Sequence, residues 1–153
     1  MAYWLFKSEP TVFSLADLQR APKQTTGWEG VRNYQARNFL RDQAKLGHKV
    51  LFYHSSTAEP GAVGVCIISR EAYPDPTQFD KRSEYYDKGS TIEAPRWLSV
   101  DLTFEKAFKR VVTLAMLHGE AGLANMRLLQ RGNRLSVMPL TPSEFKTIVK
   151  LGG

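Results

Sequence analysis

Residues 49–54 read KVLFYH and residues 62–73 read AVGVCIISREAY, with the turn Glu59-Pro60-Gly61 between them. The branched and aromatic content of both runs predicts strands, and Val63, Val65, Ile67 and Ile68 need a core to pack against. Upstream, Tyr3-Trp4-Leu5-Phe6-Lys7 has the same character and stops at Ser8-Glu9-Pro10, where proline cannot continue a ladder. Downstream, residues 97–108 alternate through Trp97, Leu98, Val100, Leu102 and Phe104, and residues 134–138 (RLSVM) predict a last strand. Helices fall between these strands. Residues 14–18 read as a short capped helix, and residues 33–40 as a longer one with Asn33 as N-cap. Two short helical turns are expected around Gly119 and Gly122, and Thr141-Pro142-Ser143-Glu144 opens a C-terminal helix by a capping box with proline at its first position. Residues 25–32 and 74–95 are expected to be loops, the second long enough to carry function. Strands and helices are mixed without βα alternation. The expected fold is therefore α+β, a mainly antiparallel, barrel-like sheet with flanking short helices, in which residues 3–7, 50–54 and 134–138 share one sheet.

The chain has 153 residues, 42% of them hydrophobic and 24% charged, which suits one globular domain spanning 1–153 and burying roughly 70% of its unfolded surface. No stretch of about 18 apolar residues exists, and the first positive charge, Lys7, follows the apolar opening rather than preceding it. Neither a transmembrane helix nor a secretory signal is expected. The single cysteine, Cys66, lies in an apolar run, so it is expected to be buried and inert, in a cytoplasmic, reducing location. Net charge is +6 but uneven: +3 over residues 1–60, −3 over 61–105 and +6 over 106–153. If the two basic ends converge, they form a face suited to phosphate; the alternative is a generally basic, solvated surface.

Seven strings carry a resemblance: YWLFKSEP at 3–10, WEGVRNYQARN at 28–38, VLFYHSS at 50–56, GVCIIS at 64–69, YPDPTQFD at 73–80, RWLSVDL at 96–102 and RLSVMPL at 134–140. Taken together and in order, they resemble the EVE domain family, which is similar to the PUA and YTH domains. The resemblance spans nearly the whole chain. It implies a PUA-like fold with flanking helices and a pocket for a single base, of the kind that recognises modified cytosines such as 5-methylcytosine. One departure is His48, where the family pattern would place an acidic residue after Gly47.

Holding an everted base requires a planar face for its π-system and polar groups for its Watson–Crick edge. Trp28, between Gly27 and Gly30, is the leading stacker, unless it only packs its loop onto the sheet. Trp97 divides between core and pocket wall. Lys7, Ser8 and Glu9 end a strand with a cation, a hydroxyl and a carboxylate, and a carboxylate accepts from the exocyclic amine of cytosine. Glu9, Ser8 and Asn33 could read that edge jointly, or Ser8-Glu9-Pro10 is only a turn and Asn33 only a cap. Val31, Tyr53, Trp97 and Leu135 are the types that could contact a C5 substituent, with Ser136 beside them. His54 is either a ligand contact or a hydrogen-bonded structural residue. Arg32, Arg37, Arg131 and Arg134 are candidates for flanking phosphates, or for solvated surface roles.

These residues predict a non-catalytic, nucleic-acid-binding monomer that needs no cofactor or metal and binds DNA or RNA carrying a modified base, away from membranes. His48, His54 and His118 lack metal-ligand spacing. Two other readings stay open. Lys7, Ser8 and Glu9 could form a hydrolytic group, as in the ASCH relatives of the PUA-like fold, or Tyr73, Phe79, Tyr85 and Tyr86 could make a protein-interaction surface.

Overall fold

The computed structural model describes residues 1–153. Its strands are β1 (Tyr3–Ser8), β2 (Thr25–Gly27), β3 (Lys49–His54), β4 (Gly61–Pro74), β5 (Leu98–Thr113) and β6 (Val137–Leu140). Its helices are α1 (Leu15–Arg20), α2 (Tyr34–Asp42), α3 (Leu114–His118) and α4 (Pro142–Gly152), with short 3-10 turns between them. The local signals act as expected. Ser14 and Thr141 close capping boxes with Asp17 and Glu144, and the Asn33 side chain accepts from the Ala36 N–H at 3.0 Å.

The six strands form one sheet in the order β2-β5-β4-β3-β1-β6, antiparallel throughout except for the parallel pair β1 and β3. The expected α+β class and the shared sheet of β1, β3 and the last strand are present. The sheet is not a closed barrel, because β2 and β6 remain its two unpaired edges. It does curl. Trp28, just beyond β2, packs its ring 5.4 Å from both Phe6 on β1 and Phe52 on β3, although three strands separate β2 from β1 along the sheet. Four register shifts between β4 and β5 supply the bending, as bulges do.

Neighbouring residues of a strand point to opposite faces, yet Leu5 and Phe6 on β1 and Leu51 and Phe52 on β3 are all fully buried, as are Val100 and Leu102 on β5. The core therefore covers both faces of the central strands, each of these side chains contributing about 1.5–3 kcal/mol. Cys66 is buried with them, and burial pushes its thiol well above the ordinary range, so it behaves as a small hydrophobe. Helix α2 adds Ala36, Phe39 and Leu40, and α4 adds Ile148 while Phe145 stacks on Tyr3 at 4.4 Å.

Three segments differ from the sequence reading. Residues 25–27, read as loop, form edge strand β2. The last strand covers 137–140 rather than 134–138, which leaves Arg134, Leu135 and Ser136 in the approach to it. Trp97 precedes β5, which runs five residues past Phe108. The 74–95 segment is a loop, but one pinned from inside by Asp75, Gln78 and Ser90. The Gln78 amide donates to the Asp75 and Trp97 carbonyls at 2.8 Å, and its oxygen accepts from the Trp97 N–H and the Ser90 hydroxyl.

Candidate nucleic-acid interface

Where β1 ends, the chain leaves the sheet through a turn in which the Val12 and Phe13 N–H groups donate to the Glu9 carbonyl, both at 2.9 Å. This turn, the segment from Thr26 to Val31, Ser55-Ser56 after β3 and the approach to β6 enclose a cavity of about 580 Å³. That size suits a small-molecule or single-base ligand. It brings together Lys7, Ser8, Glu9, Trp28, Val31, Arg134 and Ser136 from the sequence reading.

The chemistry of the walls is mixed. Burial alone lowers the pKa of Lys7, and none of the ion pairs in the fold involves it. The Ser8 hydroxyl donates to the Phe13 carbonyl at 2.6 Å. Trp28 is only 7% exposed and belongs to the core through Phe6 and Phe52, yet it also forms part of the cavity wall. Val31, 3% exposed, gives an apolar patch beside it. Glu9 and Glu29 both reach the cavity without a basic partner. Partial burial, and secondarily the charge of Asp75, holds the Glu29 carboxyl above its ordinary range.

Among the wall residues that the sequence reading did not assign to the pocket, two bear on its chemistry. Tyr85 comes from the 74–95 loop and lies against Gly30, whose φ is +84° and where a Cβ would sit 2.6 Å from the tyrosine ring. Only glycine fits that place on both counts. Glu29 is the other, and its adjacency to Trp28 was the available signal. Nothing local marks Tyr85, because it is brought in by a contact spanning 55 positions of sequence.

The remaining predicted site residues lie elsewhere. Arg32 is held inside the wall: it donates to Asp75 Oδ2 at 3.0 Å, to Thr77 Oγ1 at 3.1 Å and to the Tyr85 carbonyl at 2.7 Å. Its guanidinium also lies over the Tyr85 and Trp97 rings at 5.5 and 5.3 Å. Trp97 stacks on Tyr34 at 4.8 Å and donates its indole N–H to Asp87 at 2.8 Å, behind the cavity rather than in it. Arg37 donates to the Arg96 carbonyl at 2.8 Å. Tyr53 is buried next to the wall. His54 accepts the Leu15 N–H on Nε2 at 3.2 Å, and burial lowers its pKa, as a neutral acceptor requires. Asn33, Leu135 and Arg131 line a second groove, which Arg134 shares with the cavity.

Asp75 organises this side. Burial would raise its carboxyl, but hydrogen bonds from Thr77, the Gly30 N–H and Arg32 outweigh that and hold it below the usual range. No three His, Cys, Asp or Glu side chains are grouped to hold a metal ion, and no helix is long and apolar enough to cross a membrane.

A curled, open, PUA-like α+β sheet with an aromatic and carboxylate cavity at its mouth defines the class of protein. The chain belongs to the EVE domain family, whose model matches residues 2–151. Human thymocyte nuclear protein 1 is 47% identical over 98% of this chain and 73% of its own length. A fission yeast protein, from Schizosaccharomyces pombe, is 36% identical over 97% of this chain and 67% of its own. Among solved structures, a Pseudomonas syringae protein superposes with a TM-score of 0.94 at 47% identity, covering 99% of this chain and 100% of that one. The human THYN1 protein, crystallised in complex with DNA containing 5-methylcytosine, superposes with a TM-score of 0.94 at 45% identity, covering 99% of this chain and 98% of that one.

Proposed function

We propose that this chain is a non-catalytic DNA reader that takes one modified cytosine, 5-methylcytosine, out of its strand and into the 580 Å³ cavity. The observation that carries the reading is the near-complete superposition on the human THYN1 protein, which was solved with 5-methylcytosine-containing DNA. The walls supply the matching chemistry. Trp28 and Tyr85 offer π-faces, Glu9 or Glu29 accepts from the exocyclic amine, and Lys7 donates toward the base carbonyl. Val31 gives the C5 methyl an apolar neighbour. The Ser8 hydroxyl, the nucleophile a hydrolase would need, is committed to a backbone carbonyl, and this supports binding over turnover.

The test is a titration of matched single-stranded oligonucleotides carrying cytosine or 5-methylcytosine. Burying one methyl contributes about 0.8 kcal/mol, so the methylated strand should bind roughly fourfold tighter. Equal affinities would defeat the proposal. Tyr85→Ala should then cost about 1–3 kcal/mol of binding, the range for one stacked base. Trp28→Ala is a poorer probe, because its burial predicts a loss of about 3–5 kcal/mol of fold stability as well.

A further inference from the structure

Beside the cavity lies a second groove, of about 420 Å³, lined by Arg127, Arg131 and Arg134. No acidic residue lines it, and the six ion pairs of the fold use none of the three. Three guanidinium groups at one place without a carboxylate repel one another unless an anion joins them. The groove is also built. The Asn133 amide donates to the Arg127 carbonyl at 2.8 Å while its oxygen accepts from the Leu135 N–H at 3.1 Å, and the Gln130 amide donates to the Met126 carbonyl at 3.2 Å. The stem of Arg127 is placed by the Phe39 ring, 5.4 Å from its guanidinium. Asn33 and Gln35, the N-cap and second residue of α2, form the opposite side, so the positive end of that helix faces the same space. Arg134 lines both this groove and the cavity.

We infer that this groove is a phosphodiester track that holds the strand on one side of the nucleotide whose base occupies the cavity. The inference rests on the reader function proposed above. Arg134 takes the phosphate of the pocketed nucleotide, and Arg127 and Arg131 take the next ones. The shared chemistry is phosphate; the source is a continuing strand rather than a single mononucleotide, because of the three cations only Arg134 also lines the cavity, while Arg127 and Arg131 line the groove alone.

The test compares the parent with the double variant Arg127→Ala/Arg131→Ala, which leaves every cavity residue in place. Three probes are titrated: a 5-methylcytosine-containing single-stranded oligonucleotide, 5-methyl-2′-deoxycytidine and its 5′-monophosphate. For the oligonucleotide, affinity should fall about tenfold at low salt, and the slope of log affinity against log salt should shrink by about 1.4, or 0.7 for each phosphate that is no longer neutralised. The nucleoside and the monophosphate should bind the two proteins alike. An unchanged oligonucleotide slope would overturn the track. A monophosphate weakened as much as the oligonucleotide would also overturn it, in favour of a single-phosphate site. A nucleoside that binds neither protein would defeat the base pocket, while the oligonucleotide slope would still decide the groove.

Discussion

Arg32, held against Asp75, and the trio Arg127, Arg131 and Arg134, in the groove beside the cavity, use their charge in opposite ways. On one side Arg32 donates to Asp75, Thr77 and the Tyr85 carbonyl, and its guanidinium lies over the Tyr85 and Trp97 rings. On the other, Arg127, Arg131 and Arg134 line a groove that has no acidic residue. The first arrangement stabilises a wall, because a buried carboxylate such as Asp75 is tolerated only with a full set of donors. The second forms no ion pair within the fold and keeps its charge available for a ligand. Residue type alone therefore says little about phosphate binding; the partner decides it.

The sharpest way to break this contrast is Asp75→Ala. Its carboxylate accepts from Gly30, Arg32 and Thr77 while fully buried, so its removal should cost about 3–5 kcal/mol of unfolding free energy, measured as a shifted urea midpoint. A loss below about 1 kcal/mol would mean that the wall is not held by this network. Next in size is the pair Arg32→Ala and Arg131→Ala. The first should cost about 2 kcal/mol, since it removes charged hydrogen bonds, and should leave the salt dependence of DNA binding unchanged. The second should stay within about 0.5 kcal/mol in stability and yet flatten the salt dependence. Reversed outcomes would exchange the roles of the two sides.

The contrast also shows what a sequence can and cannot disclose. Strands β1 and β3 and the caps at Ser14, Asn33 and Thr141 were legible because they depend on local patterning and on bonds that span three residues. Strand β2 was not. Three residues, Thr25 to Gly27, carry no hydrophobic rhythm, and their pairing is settled by Thr103 and its neighbours on β5, including a 2.8 Å hydrogen bond between the Thr25 and Thr103 hydroxyls. Strand β6 was misplaced toward its N-terminal side because Pro139 looks like a terminator; an edge strand tolerates it. For the site, the end of β1 and the loop around Trp28 were readable as a pocket. Arg32 was not readable as structural, since Asp75 lies 43 positions away. Arg127 escaped notice for the same reason: only the fold sets it beside Arg131 and Arg134.

The smallest effect concerns two neighbouring carboxylates that the fold treats oppositely. Asp75 is held below its ordinary pKa, so its contribution is present at neutral pH and lost as pH falls through its folded value. Glu29 is held above, by burial and by the charge of Asp75, so its ionised form is a cost to the fold at neutral pH that protonation relieves. Glu29→Gln should therefore leave stability unchanged or slightly raised at pH 7, with that difference vanishing as pH falls below the ordinary range for glutamate, whereas Asp75→Asn should lower stability at pH 7 and matter less in acid. Thermal unfolding of both variants across pH 3–8 checks the signs. Binding separates Glu29 from a bystander: if its carboxylate accepts the exocyclic amine, Glu29→Gln weakens the 5-methylcytosine strand at neutral pH although the protein is no less stable. Equal binding by the variant would leave Glu9 as the acceptor.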